Sequence, residues 1–105
     1  MGKRGGLEKA LQNVRVYYNI RNMSIVAASN NFRKNLRFVM KTRNISQRAL
    51  ADMADVNFVS VNRVLVGKSE PTMHLAEKIS EAIGFQLKDL LVSPLEFQKK
   101  SAATY

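Results

Sequence analysis

Apolar residues in the middle of the chain recur at intervals of three and four, which is the spacing of one face of an α-helix. The first such set is Phe32, Leu36, Val39 and Met40. No stretch shows the alternation of apolar and polar residues that is typical of a half-buried strand. The pattern predicts an all-α domain in which this first helix is followed by four shorter ones, at 47–54, 58–66, 71–83 and 87–91.

Residues that favour helix ends separate these segments. Asn44 and Asp55 stand where a left-handed backbone would end the first and second helices, and Gly67 ends the third. Ser46 and Asn57 are suitable N-caps for the second and third. A three-residue turn joins those two helices, and we expect them to pack at a steep angle because of the spacing of their apolar residues, which are Leu50, Ala51, Ala54, Val56, Val61 and Val64. They then form a helix-turn-helix, whose second helix typically enters the major groove of DNA.

Two runs of residues at fixed spacing carry a family resemblance. The first is Ile45-Ser46-Gln47-x-x-Leu50-Ala51-x-x-Ala54-x-Val56-Asn57-x-x-x-Val61-x-Arg63-Val64-x-x-Gly67-Lys68, and the second is Pro71-Thr72-x-x-x-Ala76-x-x-Ile79-x-x-Ala82-Ile83-Gly84 with Leu87-x-x-Leu90-Leu91. Over about residues 32–92 the chain resembles the lambda-repressor-like (Cro/XRE-type) helix-turn-helix family. It departs from the family pattern at Ala54, Asp55 and Leu65-Val66, where a larger aliphatic, a glycine and polar residues are usual.

The resemblance implies a five-helix lambda-repressor-like DNA-binding domain, here with an additional N-terminal helical arm. It also implies a sequence-specific DNA-binding transcription regulator, and many members of the family are phage repressors that act as dimers. We expect no enzymatic activity and no cofactor. The domain is expected at residues 31–92, after a basic arm at 1–30 and before a C-terminal tail at 93–105 whose end has little to bury.

The charge of the chain also favours a nucleic-acid partner. Its 105 residues include 17 Lys and Arg and 8 Asp and Glu, a net charge of +9, so we expect an anionic partner. The absence of cysteine and the presence of a single histidine, His74, leave no ligand set for a cysteine- or histidine-based metal site. No apolar run approaches the roughly 20 residues of a membrane span. We therefore expect a cytoplasmic protein that binds double-stranded DNA.

The exposed side of the helix 58–66 is expected to read base edges. On a helical wheel Val61 and Val64 face inward, and the opposite arc carries Val59, Asn62, Arg63 and Val66, flanked by Phe58 and Ser60. Arg63 could donate two hydrogen bonds to guanine, and Asn62 could bond adenine. Val59 is suited to a thymine methyl group, and Phe58 could either do likewise or pack on the preceding helix.

Contacts with the DNA backbone are expected on both sides of this helix. The N-terminus of the second helix offers free N–H groups to a phosphate. Four basic residues of the first helix, Arg33, Arg37, Lys41 and Arg43, are further candidates, although some of them must face away from DNA. The expected backbone-contacting residues are Ser46, Gln47, Arg48, Ser60, Lys68 and Ser69.

Two apolar surfaces could assemble the protein into a dimer or a higher homo-oligomer. The favoured one is the C-terminal set Leu87, Leu91, Val92, Leu95 and Phe97. The other lies in the arm, on the stripe Leu11, Val14, Tyr17 and Tyr18. The arm has three further possible roles, which are packing onto the domain as an extra helix, following DNA with its basic side, or docking a regulator; its moderate hydrophobicity disfavours a membrane.

Two functions fit these features. The favoured one is a repressor, of phage or prophage type, that binds a palindromic operator as a dimer. The alternative is an antitoxin-like or adaptor protein whose main role is to bind a protein partner, with DNA binding for autoregulation. A protein regulator such as an antirepressor or a toxin is compatible with both.

Overall fold

The structure of the protein is a computed structural model, and it describes residues 25–104. This part of the chain contains six α-helices and no strand, so the expectation of an all-α fold is confirmed. The helices are α1 (Ile25–Arg43), α2 (Gln47–Ala54), α3 (Phe58–Leu65), α4 (Met73–Ala82), α5 (Leu87–Leu90) and α6 (Pro94–Thr104). The second helix has the bounds expected from the sequence, and the ends of the third to fifth differ from the expected ones by at most two residues, a usual difference.

The first helix is longer than its apolar spacing indicates. It begins at Ile25, inside the segment 1–30 that was expected to form the arm, and continues for 19 residues. Its buried side includes Phe32, Leu36 and Val39, which belong to the main core. The helix therefore joins the core of the domain to the segment that precedes it.

Residues with special backbone preferences end the helices as the sequence predicts. Asn44 and Asp55 have positive φ angles of 55° and 53°. Gly67 and Gly84, both with φ of 81°, follow α3 and α4. Because the left-handed region is unfavourable for most residues with a Cβ atom, Asn, Asp and Gly are the types expected at such positions.

Two asparagines of α1 hold the chain around α5. The buried side-chain amide of Asn35 donates hydrogen bonds to the carbonyls of Leu90 at 3.0 Å and Val92 at 2.8 Å. Asn31 donates to the carbonyl of Leu91 at 3.0 Å. Side chains of α1 thus satisfy three successive carbonyls at the end of this four-residue helix. The last carbonyls of a helix have no N–H partner within it, so they need hydrogen-bond donors from elsewhere.

The last helix was not expected, because the sequence indicated only a tail at 93–105. Pro94 stands in the first turn, where a missing amide hydrogen costs nothing, and the Ser93 hydroxyl accepts from the Glu96 amide at 3.3 Å. Phe97 is buried, with its ring centroid 6.2 Å from that of Phe38 and 5.3 Å from that of Phe85. Burial of this ring explains why the segment packs as a helix on α1.

Within residues 25–104, no helix combines the length and the apolar character that crossing a lipid bilayer requires.

Candidate nucleic-acid interface

The second and third helices, α2 and α3, form a helix-turn-helix whose ends are capped by side chains. The hydroxyl of Ser46 accepts a hydrogen bond from the Ala49 amide at 3.0 Å, and the side-chain oxygen of Asn57 accepts from the Val59 amide at 2.7 Å. The turn between them is fixed by Asp55 in the left-handed conformation. These caps stabilise two helices of only eight residues each.

The third helix has one buried side and one exposed side. Its buried side chains are Val61, Val64 and Leu65, at most 2% exposed. On the opposite side Val59 is 55% exposed and Val66, which follows the last helical turn, is 48% exposed. Arg63 is exposed between them, at i+4 from Val59 and i−3 from Val66. An exposed row of two apolar side chains and one guanidinium therefore runs along the helix.

The aromatic ring of Phe58, expected either at base edges or on the preceding helix, is half-buried against the core. The guanidinium of Arg48 lies over this ring, 4.7 Å from its centroid. This cation–π contact joins the first turns of α2 and α3. Phe58 and Arg48, two of the expected DNA-contacting residues, are therefore held against each other.

A second pair of expected site residues is also in direct contact. Asn62 is half-buried, and its amide nitrogen donates a hydrogen bond to the side-chain oxygen of Gln47 at 2.9 Å. Gln47 opens α2, where the first N–H groups have no partner within the helix. A phosphate bound at this helix end would lie beside the side chain of Gln47, whose hydrogen bond also orients the amide of Asn62.

The loop after α3 turns back onto the helix. The amides of Lys68 and Ser69 both donate to the carbonyl of Arg63, at 2.9 and 3.3 Å. Their side chains are exposed, whereas Ser60 is half-buried on α3. No acidic residue occurs in the sequence from Asn57 to Ser69, so this stretch presents only positive charge to a polyanion.

Two arginines of α1 support the C-terminal end of α3. Arg33 donates from Nε to the carbonyl of Val64 at 2.6 Å and from Nη1 to the side-chain oxygen of Asn30 at 2.7 Å. Arg37 donates to the carbonyl of Leu65. A cation at a helix C-terminus is favourable because the free carbonyls there carry partial negative charge.

This supporting role was not predicted from the sequence, which offered Arg33, Arg37, Lys41 and Arg43 alike as candidates for phosphate contacts. Arg43 also caps a helix end, by donating to the carbonyl of Ile83 at 2.8 Å, and its guanidinium lies 5.3 Å from the ring centroid of Phe85. No signal in the sequence distinguishes these arginines from Lys34 or Lys41, because the carbonyls that they cap lie at least 28 residues away.

An open cleft of about 570 Å³ lies where α1 ends and α2 begins, beside the end of α3. Arg37, Lys41 and Gln47 are among the residues that line it. Two cationic side chains and the first residue of a helix thus line one cleft beside the last residue of α3. This arrangement is chemically suited to an anion such as a phosphate.

The structure corrects part of the expected dimer surface. Val92 and Phe97 are 5% and 2% exposed and belong to the core of the chain itself, so they cannot form an exposed contact with a second copy. Leu95 is 67% exposed, and Leu87 and Leu91 are half-buried along a groove. The arm stripe Leu11, Val14, Tyr17 and Tyr18 lies outside the described residues.

No group of His, Cys, Asp and Glu side chains suited to a metal ion occurs among the residues that the structure describes.

Comparison with known proteins gives one match. A family model described as Helix-turn-helix matches residues 36–90, which is 55 of the 105 residues and slightly more than half of the chain. The match begins in the middle of α1 and ends with α5, so it contains both helices of the capped pair and their turn. No curated protein and no solved structure matches the chain.

Proposed function

Because the chain belongs to the helix-turn-helix family of DNA-binding transcription regulators, we propose that it is a repressor, of phage or prophage type, that binds a palindromic operator as a dimer. Proteins of this family are generally not enzymes. Repression would follow from occupancy, because a protein bound across a promoter blocks the polymerase.

The observation that carries the proposal is the exposed row Val59, Arg63 and Val66 on a helix that is held at both ends. Asn57 caps its start, and Arg33 and Arg37 bond its last carbonyls. A rigid helix with a planar donor between two apolar side chains fits the edge of a guanine flanked by thymine methyl groups.

Phosphate contacts would position this helix on the duplex. The N-terminal turn of α2 and the cleft with Arg37 and Lys41 lie beside α3, and Lys68 and Ser69 follow its C-terminal end. Contacts of this kind fix orientation but carry no direct sequence information. The base preference is then expected to come from α3.

Dimerisation would supply the rest of the specificity, because one recognition helix reads only a few base pairs. We place the dimer contact around Leu95, the exposed leucine of α6. The two copies of α3 would then lie about one DNA turn apart, roughly 34 Å.

The test is an electrophoretic mobility shift with the DNA upstream of the protein's own gene. We expect a complex with an inverted repeat that resists competition by a duplex of the same composition in shuffled order. Equal competition by both duplexes would overturn sequence-specific binding.

Sedimentation of the protein with operator DNA tests the dimer contact, by comparing Leu95→Asp with Met53→Asp, a change at a similarly exposed residue of α2. Only Leu95→Asp should reduce the bound species from two copies to one.

A further inference from the structure

An apolar groove of about 200 Å³ lies on the side of the domain formed by α1, α4 and α5. All of its lining residues are uncharged, and they include Ala28 and Phe32 of α1, Met73 and Ala76 of α4, and Leu91 after α5. Nothing in the part of the chain that the structure describes fills this groove.

Two large apolar side chains are exposed beside the groove. Met73, in its wall, is 69% exposed, and Val26, one turn before Ser29 of the opposite wall, is 62% exposed. Single exposed apolar residues are ordinary, whereas exposed apolar residues grouped around an apolar groove are typical of a binding surface. The position of the groove indicates what that is, because its α1 wall lies at the start of the helix that follows residues 1–24.

We propose that this groove is the docking site of the chain's own N-terminal segment, residues 7–18. That segment has six apolar residues at helical spacing and basic residues off that stripe. As a helix of 12 residues it would be about 18 Å long. The apolar stripe that would face the groove is Leu7, Ala10, Leu11, Val14, Tyr17 and Tyr18.

The connection between segment and groove is short enough for docking within one molecule. Residues 19–24 lie between the stripe and Ile25, and six residues span at most about 20 Å. The first groove residue, Ala28, stands only three positions after Ile25. Tethering so close to the groove gives the segment a high effective concentration there, which favours it over a second copy of the chain.

Two carboxylates flank the α4 wall of the groove, and the segment carries basic residues. Glu70 immediately precedes the groove residue Pro71, and Glu77 lies one helical turn after Met73; both glutamates are exposed. Lys9 and Arg15 lie off the apolar stripe of the segment. With the stripe in the groove, Arg15, at the edge of the stripe, would lie beside the groove wall, where a flanking carboxylate can pair with it, whereas Lys9 would lie on the far side of the helix.

Disulfide trapping in the full-length protein tests the contact, because the natural chain has no cysteine. Val14→Cys is combined with Met73→Cys, and Leu11→Cys and Tyr18→Cys are each combined with Met73→Cys to cover neighbouring registers. The matched control combines Val14→Cys with Met53→Cys, because Met53 is 51% exposed and does not line the groove. We expect at least one Met73→Cys pair to close within a single molecule about tenfold faster than the control pair.

The other outcomes overturn the proposal. Crosslinks that join two molecules would assign the groove to a second copy. Equal rates for the Met73→Cys and Met53→Cys pairs, or no crosslink at all, would show that the segment does not dock there.

Amide hydrogen exchange, measured on the natural protein and on variants without introduced cysteines, gives a second test of the contact. We expect amides of residues 7–18 to be protected in the natural protein, to lose that protection in Met73→Asp and to keep it in Met53→Asp. Fast exchange of these amides in the natural protein contradicts docking. Neither measurement involves DNA, so its result is independent of whether the protein is a repressor.

Discussion

The side-chain amide of Asn62 donates a 2.9 Å hydrogen bond to the side-chain oxygen of Gln47. Gln47 is the first residue of α2 and Asn62 lies in the middle of α3, so this bond joins the helix end that we propose meets phosphate to the helix that we propose reads bases. The two residues are therefore expected to act as a unit rather than as independent DNA contacts.

A double-mutant cycle tests this coupling. Gln47→Ala, Asn62→Ala and the double variant are compared by denaturant unfolding and by operator affinity. Because the effects of substituting two residues in contact do not add, we expect a coupling energy of about 0.5–1.5 kcal/mol in the free energy of unfolding. Additive effects on both unfolding and binding would show that the bond contributes nothing to either.

Replacement of Arg63 tests base reading by α3. Its guanidinium is the one charged group in the exposed row with Val59 and Val66. Arg63→Ala is expected to weaken operator binding by about 1–3 kcal/mol and to relax the preference at one base pair in each half-site. Binding to a set of operators with single base changes measures both. An equal loss on operator and random duplexes would make Arg63 a phosphate contact instead.

The salt dependence of binding tests the backbone contacts. For a dimer with about 6–10 phosphate contacts, the logarithm of affinity is expected to fall against the logarithm of salt concentration with a slope of about −0.9 per contact. Lys68→Ala should make the slope shallower by about two contacts per dimer while leaving base preference unchanged. A slope near zero in the natural protein would indicate that its charge serves another partner.

Features fixed by neighbouring residues could be predicted from the sequence. The caps at Ser46 and Asn57 and the left-handed Asp55 depend on short-range hydrogen bonds and on backbone preference, and all three occur as expected. The buried and exposed sides of α3 also follow from helical period alone. The resemblance to the helix-turn-helix family is confirmed for the same reason, since it rests on these fixed spacings.

Features fixed by distant residues could not be predicted. Phe97 was expected on a dimer surface because it follows the last expected helix, yet it packs between Phe38 and Phe85. Arg33 could bind a phosphate or a carbonyl equally well, and its carbonyl partner Val64 is 31 residues away. In each case the residue type allowed two roles, and only the tertiary arrangement decided between them.

The buried amide of Asn35 is expected to contribute strongly to stability. Its Nδ2 atom bonds the carbonyls of Leu90 and Val92, whereas its Oδ1 atom has no hydrogen-bond partner within the described chain. Asn35→Leu would leave both carbonyls unsatisfied, so we expect the free energy of unfolding to fall by about 1–3 kcal/mol. Lys34→Leu, an exposed neighbour on the same helix, should change it by less than about 0.5 kcal/mol. Equal effects in urea unfolding would contradict the role of the amide.

The backbone of Asp55 provides a prediction of the opposite sign. Its φ of 53° and ψ of 51° lie in the left-handed region, where the family usually has glycine. This conformation costs a residue with a Cβ atom about 1–2 kcal/mol, and replacement by glycine removes that cost. The greater conformational freedom of glycine in the unfolded chain offsets part of the stabilisation. Asp55→Gly is therefore expected to raise the free energy of unfolding by about 0.5–1 kcal/mol, measured by urea denaturation.

Asp52→Gly is the matched control for this change. Asp52 is exposed, lies three residues earlier in the right-handed part of α2, and loses the same carboxylate. Glycine there should lower the free energy of unfolding by about 0.5–1 kcal/mol, because it adds backbone freedom without relieving any strain. Opposite signs for the two variants would assign the effect to backbone conformation. If both variants gained stability equally, removal of a negative charge near the C-terminus of α2 would be the cause instead.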